Sequence, residues 1–135
     1  MKTILLSYAG RDANYRSLLV AATRAAGLAV RFVELPGVVT DPVDRRHLCA
    51  AELQHCDAAI VLMSPHARMD AGVGADIEAV RDHQVPLLAI KVGEYGARRM
   101  THCDWPVSST LDWNWSRISA FLQRMGQSEK AMTIP

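Results

Sequence analysis

Six consecutive apolar residues, Ala58 to Met63 (AAIVLM), set the strongest constraint on this chain. An unbroken apolar run of that length, with no polar alternation, reads as a strand covered on both faces, which is the habit of a parallel sheet inside an α/β fold. Layers must then lie above and below it, and the flanking sequence supplies them. Thr3 to Tyr8 is a second short apolar run, closed by Ala9-Gly10. Asn14 to Ala26 carries Leu18, Leu19 and Ala22 at helical spacing, with Gly27 where a C-cap belongs. Leu28 to Val33 and Pro86 to Val92 read as further strands, and a weak edge strand is expected around Trp105 to Thr110. Helices are expected over Val43 to His55, with Leu48, Ala51 and Ala50 inward, and over Ala71 to His83. A last helix is expected over Asn114 to Met125, with Trp115, Ile118, Phe121 and Leu122 on one side. Leu35 to Asp44 and Glu94 to Cys103 read as loops, and residues 126–135 as a flexible tail.

Strands alternating with helices predict one domain with a parallel sheet wrapped on both faces. Ligands of such sheets gather outside the carboxyl ends of the strands. That directs attention to Tyr8 to Asp12, Ser64 to Arg68 and the loop after Val92.

Composition narrows the function classes. The chain has 135 residues, 50% hydrophobic and 21% charged, with a formal net charge of +1. No Lys/Arg run exceeds the pairs Arg45-Arg46 and Arg98-Arg99, so charge gives no reason to expect nucleic-acid binding. The first apolar run is too short for a signal peptide or a membrane span. Cys49, Cys56 and Cys103 are odd in number and not in C-x-x-C spacing, consistent with reduced thiols and a cytoplasmic protein. Cys49 and Cys56 read as small core residues. His47, His55, His83 and His102 show no metal-ligand spacing with them, and no metal is expected.

The stretch MDAGVGADIEAV, residues 69–80, carries the candidate chemistry. On a helix turning about 100° per residue, Val73, Ile77 and Val80 form one stripe. Asp76 lies roughly 60° from its centre and Glu78 roughly 140° away, so Asp76 borders the core and Glu78 faces water. Aspartate is a poor helix-interior residue, and a half-buried carboxylate needs a partner or a ligand. Arg11, Arg68 or a nearby histidine are candidate partners. Gly72 and Gly74 leave room for a close approach to the helix start, by an anion or a sugar hydroxyl or by nothing at all.

With these residues in view the chain resembles the TIR domains. Ser7-Tyr8-Ala9-Gly10-Arg11-Asp12 resembles their S-[YF]-x-x-x-D box. AAIVLMS followed by Pro65 resembles their third strand and its exit. VGADIEAVRDHQVPLLAIKVG (residues 73–93) resembles a W-V-x-x-E-I-x-x-A…x-P-[IL]-[IL]-x-[IV] pattern. That pattern is found especially in the small TIR-like proteins of bacterial Thoeris anti-phage defence and their archaeal relatives. The tryptophan-opened helix from Trp113 to Phe121 is similar to the end of those proteins. The resemblance spans residues 3–125.

It implies a flavodoxin-like, five-stranded parallel sheet of order 2-1-3-4-5 with helices on both faces. It also implies NAD as a substrate rather than a cofactor, cleaved at the nicotinamide-ribose bond to an ADP-ribose-derived signal. In active members a glutamate on the helix after the third strand acts on the nicotinamide ribose, and Asp76 aligns with it. Aspartate is one methylene shorter, and Ala71-Gly72 stand near the place of the usual tryptophan. Beside that resemblance, Ser7 is a candidate donor to a ribose or phosphate or else a strand-end hydroxyl bonding the backbone, and Tyr8 a candidate base-stacking ring or else a core or rim residue. Arg11 is a candidate pyrophosphate partner or else a solvated loop residue, while Ser64 and His66 leave the third strand close to the crevice. Asp12 matches the box and by position also reads as an N-cap. Two other readings stand beside NAD cleavage. One is a non-catalytic module that associates with itself or a TIR partner through Leu35 to Asp44. The other, from the Asp70, Gly72 and Asp76 spacing, is a nucleoside 2-deoxyribosyltransferase-like enzyme. A receiver-like domain is disfavoured, because Ser7 and Tyr8 stand where an acidic pair would.

Overall fold

The computed structural model describes residues 1–93, 107 and 109–132, with side chains of the last helix through residue 125. Five strands, β1 (Lys2–Ser7), β2 (Val30–Val33), β3 (Ala58–Met63), β4 (Leu87–Lys91) and β5 (Ser109–Leu111), form one sheet of order 2-1-3-4-5. Every neighbouring pair is parallel. This is the flavodoxin-like α/β arrangement expected from the sequence.

The six residues of β3 are all buried, and they divide by parity. Ala59, Val61 and Met63 join Leu5 of β1 and Leu87 and Ala89 of β4 in one apolar layer. Helices α2 (Pro42–Leu53) and α4 (Ala71–Asp82) cover that layer through Cys49, Leu53, Val73, Ile77 and Val80. Ile60 and Leu62, with Ile4, Leu6, Leu88 and Ile90, form the opposite layer. There α1 (Ala13–Ala25) and α5 (Trp115–Met132) supply Leu19, Ile118 and Leu122. The period-2 alternation of each strand therefore builds two separate cores. Gly27, at φ +65°, ends α1 by letting the amides of Gly27 and Leu28 turn back to the carbonyls of Arg24 and Thr23.

Several expectations need correction. Two short helical segments, a 3-10 turn (Gly10–Asp12) and α3 (Pro65–Arg68), lie at strand exits to which the sequence assigns no element. On α1 the inward residues are Leu19 and Thr23, and Leu18 is exposed. On α2 they are Cys49 and Leu53; Leu48 and Ala51 face solvent, because the helix is rotated to bring Arg45 inward one turn before Cys49. Cys56 falls beyond the end of α2 and is only half-buried. Trp115 is exposed while Ile118 and Leu122 are buried. The last helix runs on to Met132, into the stretch read as a tail. The edge strand starts at Ser109; Trp105 and the loop Glu94 to Cys103 lie outside the described residues. Among the described residues no helix is long and apolar enough to cross a membrane.

The central strand carries the largest share of this packing. Ile60→Ala, at a fully buried position, is expected to cost about 2–5 kcal/mol. Urea unfolding checks this as a lower midpoint with an unchanged slope.

Candidate functional site

Ser7 is the last residue of β1 and shares the parity of Leu5, so its side chain points to the α2/α4 layer. There its hydroxyl donates to Oδ2 of Asp76 at 2.7 Å. Arg45, in the first turns of α2, forks onto the same carboxylate: Nε reaches Oδ1 and Nη2 reaches Oδ2, each at 3.0 Å. Asp76 is 1% exposed and both its oxygens are engaged. Burial pushes the Asp76 carboxyl above the usual aspartate range, and the hydrogen bonds from Arg45 and Ser7 pull it back only in part. The expected inward acid is therefore correct. Its expected partner is not: Arg45 holds it, not Arg11, Arg68 or a histidine. Glu78 points outward, as the helical spacing requires, and pairs with Arg46.

The helix start that the two glycines leave open is filled from within the chain. A Cβ on Gly72 would lie 3.1 Å from Nε of Arg45 and 3.1 Å from Oδ1 of Asp70. Asp70 itself caps α4, accepting from the Val73 amide at 2.9 Å. Gly74 faces open space.

Beside this cluster lies a cavity of about 480 Å³ lined by Tyr8, Glu34, Thr40, Arg45, Asp70 and Gly72, among others. It opens between the exits of β1 and β2 and the start of α4. Arg45 lines it and Asp76 does not. The phenol of Tyr8 donates to Oε1 of Glu34 at 2.6 Å, and Arg16 forks onto Glu34 from α1, Nε to Oε1 at 2.9 Å. The Arg16 hydrogen bonds hold the Glu34 carboxyl below its ordinary value. Tyr8 moves up, from burial first and from Glu34 second. Its ring is thereby fixed in the cavity wall, with its proton committed to a carboxylate.

The other candidates gather elsewhere. Arg11, Asp12, Ser64 and His66 line a second cavity of about 300 Å³ with Asn14, Tyr15 and Gly93, between the exits of β1 and β3. Asp12 occupies the N-cap position of α1 but makes no capping hydrogen bond. It is buried and accepts instead from the Ser64 hydroxyl, while Ser64 caps α3 by accepting from the Ala67 amide at 3.0 Å. The predicted substrate residues thus do not converge. Ser7 and Tyr8 belong with Asp76, and Arg11, Asp12, Ser64 and His66 form a separate cleft. Sequence reasoning missed Arg45, Glu34 and Arg16. For Arg45 a signal existed, since it precedes Cys49 and Leu53 at i, i+4, i+8 spacing. Among the described residues no group of three or more His, Cys, Asp or Glu could hold a metal ion.

No protein-family model matches the sequence, and no curated protein matches it. Among solved structures, the chain is similar to a 3-dehydroquinate dehydratase-like protein from Bifidobacterium longum. That match covers 92% of this chain and 94% of the other at 12% identity, with a TM-score of 0.51. A de novo designed protein of P-loop NTPase fold covers 93% of this chain with 76% of its own, at 16% identity and a TM-score of 0.42. Both identities are far too low to transfer an activity. The first likeness supports the flavodoxin-like α/β fold and nothing finer.

Proposed function

We propose that the protein is a TIR-like enzyme of anti-phage defence that takes NAD into the cavity beside Arg45 and cleaves its nicotinamide-ribose bond, with Asp76 as the acid acting on the ribose. The observation that carries this reading is the buried Asp76 carboxylate one guanidinium behind the cavity, held by the Arg45 that lines it, at the place where the resemblance puts the family's glutamate. A carboxylate there favours positive charge developing at the anomeric carbon, as it does in glycosidases. The carbon–nitrogen bond breaks with its electron pair going to the pyridinium nitrogen, so nicotinamide leaves neutral. Water, or a nucleophile within the remaining ADP-ribose, then adds to the anomeric carbon and gives up a proton. The immobilised Tyr8 ring offers a face for a base, and neutralisation of Glu34 by Arg16 removes a charge that would repel phosphate.

A second reading, a non-catalytic interaction module, is favoured by one feature. Val38 and Met69, each 88% exposed, stand on the two loops that border the same cavity. Exposed apolar side chains at the mouth of a cavity suit a protein contact.

Nicotinamide release from NAD separates the two. Asp76→Asn is expected to lose at least about a hundredfold in rate while melting cooperatively. Asp76→Ala, which strands a buried guanidinium, costs about 3–5 kcal/mol of stability in addition. Base release from deoxynucleosides with NAD untouched would instead point to nucleoside transfer. Because the reacting form is the carboxylate and burial raises its pKa, the acid limb of the kcat/KM profile is expected above the about 3.9 of a free aspartate. If nicotinamide is never released and the protein self-associates, Val38→Ser with Met69→Ser is expected to return it to monomer in sedimentation.

A further inference from the structure

Arg45 stands between the cavity and the acid. Two of its nitrogens hold Asp76, while Nη1 reaches the carbonyls of Val39 at 3.3 Å and Pro36 at 3.5 Å. The last two contacts are long for N–H···O bonds and weak. An entering ligand meets the guanidinium before it meets the carboxylate. While the pair is closed, the guanidinium cancels the field of Asp76, and the acid cannot favour positive charge on a sugar. Opening the pair with nothing in its place leaves two buried charges uncompensated, which is strongly unfavourable. A ligand opens it readily only by supplying both replacements, an anion for Arg45 and a cation for Asp76.

Resting on the NAD-cleaving reading, we propose that Arg45 is the specificity residue of the site: by ion-pair exchange it admits ligands that carry both a phosphate and a cationic N-ribosyl base, and it excludes neutral nucleosides. The phosphate takes the guanidinium fork, whose planar donors match phosphate oxygens bidentately. The ribosyl-pyridinium then faces a carboxylate no longer neutralised by its own chain. Charge balance is kept throughout, and no covalent bond to the protein forms. Gly72 belongs to the same device, since a methyl there would crowd Nε and Cδ of Arg45 at 3.1 and 3.2 Å.

The test compares NAD with nicotinamide riboside, which has the cationic base and the ribose but no phosphate. The wild-type protein is expected to prefer NAD by at least about a hundredfold in kcat/KM. In Arg45→Gln that preference falls at least about tenfold, because KM for NAD rises while riboside cleavage increases. Arg45→Lys, keeping the charge without the fork, falls between, and Gly72→Ala, which displaces the guanidinium, also raises riboside cleavage. A readout independent of turnover is the carboxyl carbon-13 signal of Asp76 titrated with carbocyclic NAD, which keeps the pyrophosphate and the cationic base but has no cleavable glycosidic bond. It is expected to shift in the wild type and to stay still in Arg45→Gln. A protein that cleaves NAD with the same preference in Arg45→Gln as in the wild type overturns the inference and leaves the reading intact. No nicotinamide from any variant, with carbocyclic NAD still moving the Asp76 signal through Arg45, retires the cleavage and keeps the exchange. No turnover and an unmoved signal remove both.

Discussion

The Asp76 carboxylate binds four parts of the chain to one point. Ser7 reaches it from the end of β1, Arg45 from α2, and the loop before α2 is held through the other side of the same guanidinium. Asp76 itself is seated in the middle of α4, among Ala75, Ile77 and Val80 of the core. A buried ion pair adds little net stability over an apolar replacement, but it is exacting about geometry. Here that geometry determines how α2 lies on α4. The face of α2 turned to the sheet begins with Arg45 and continues through Cys49 and Leu53. Cys49 lies directly against the pair, its thiol donating to the Asp76 carbonyl at 3.8 Å. Burial, and next the Asp76 charge, push that thiol up to about 12, so it stays protonated and acts as packing.

The upper rim of the sheet is divided by this arrangement. On one side the Arg45 cavity is walled by Tyr8, whose phenol is tied to the Arg16–Glu34 pair. On the other, the buried Asp12–Ser64 hydrogen bond forms the floor of a smaller cleft carrying Arg11 and His66. Ser7 turns toward α4, while the chain beyond Ala9 enters α1 through the Gly10–Asp12 turn.

Much of the fold was legible because it rests on periodicity. AAIVLM matches β3 residue for residue, and most other strands and helices fall within a few residues of their patterns, the last helix excepted, which runs on past Met125 to Met132. The inward position of Asp76 also followed from angular arithmetic on one helix, since neighbours at i±3 and i±4 need no knowledge of the rest of the chain. Its partner did not follow. Arg45 is 31 residues away, and only the packing of α2 on α4 brings the two together. The same packing explains the misjudged face of α2, where Leu48 is more hydrophobic than Cys49 yet points to water. Apolarity ranked those residues correctly; an ion pair overruled the ranking. Asp12 shows a similar limit. Its position suited a cap, but Ser64, 52 residues on, offered a buried donor.

The alternation along β1 carries a consequence of its own. Ile4 and Leu6 fill one core, Leu5 fills the other, and Ser7 inherits the side of Leu5. An insertion or deletion of one residue within Lys2–Ser7 would therefore do more than displace apolar packing. It would swing the hydroxyl to the opposite layer, among Leu19 and Ile118, and strip Asp76 of a donor from a distance. The length of this first strand is thus as tightly specified as its chemistry, and tolerance to such frame changes is confined to the stretches outside the pleat.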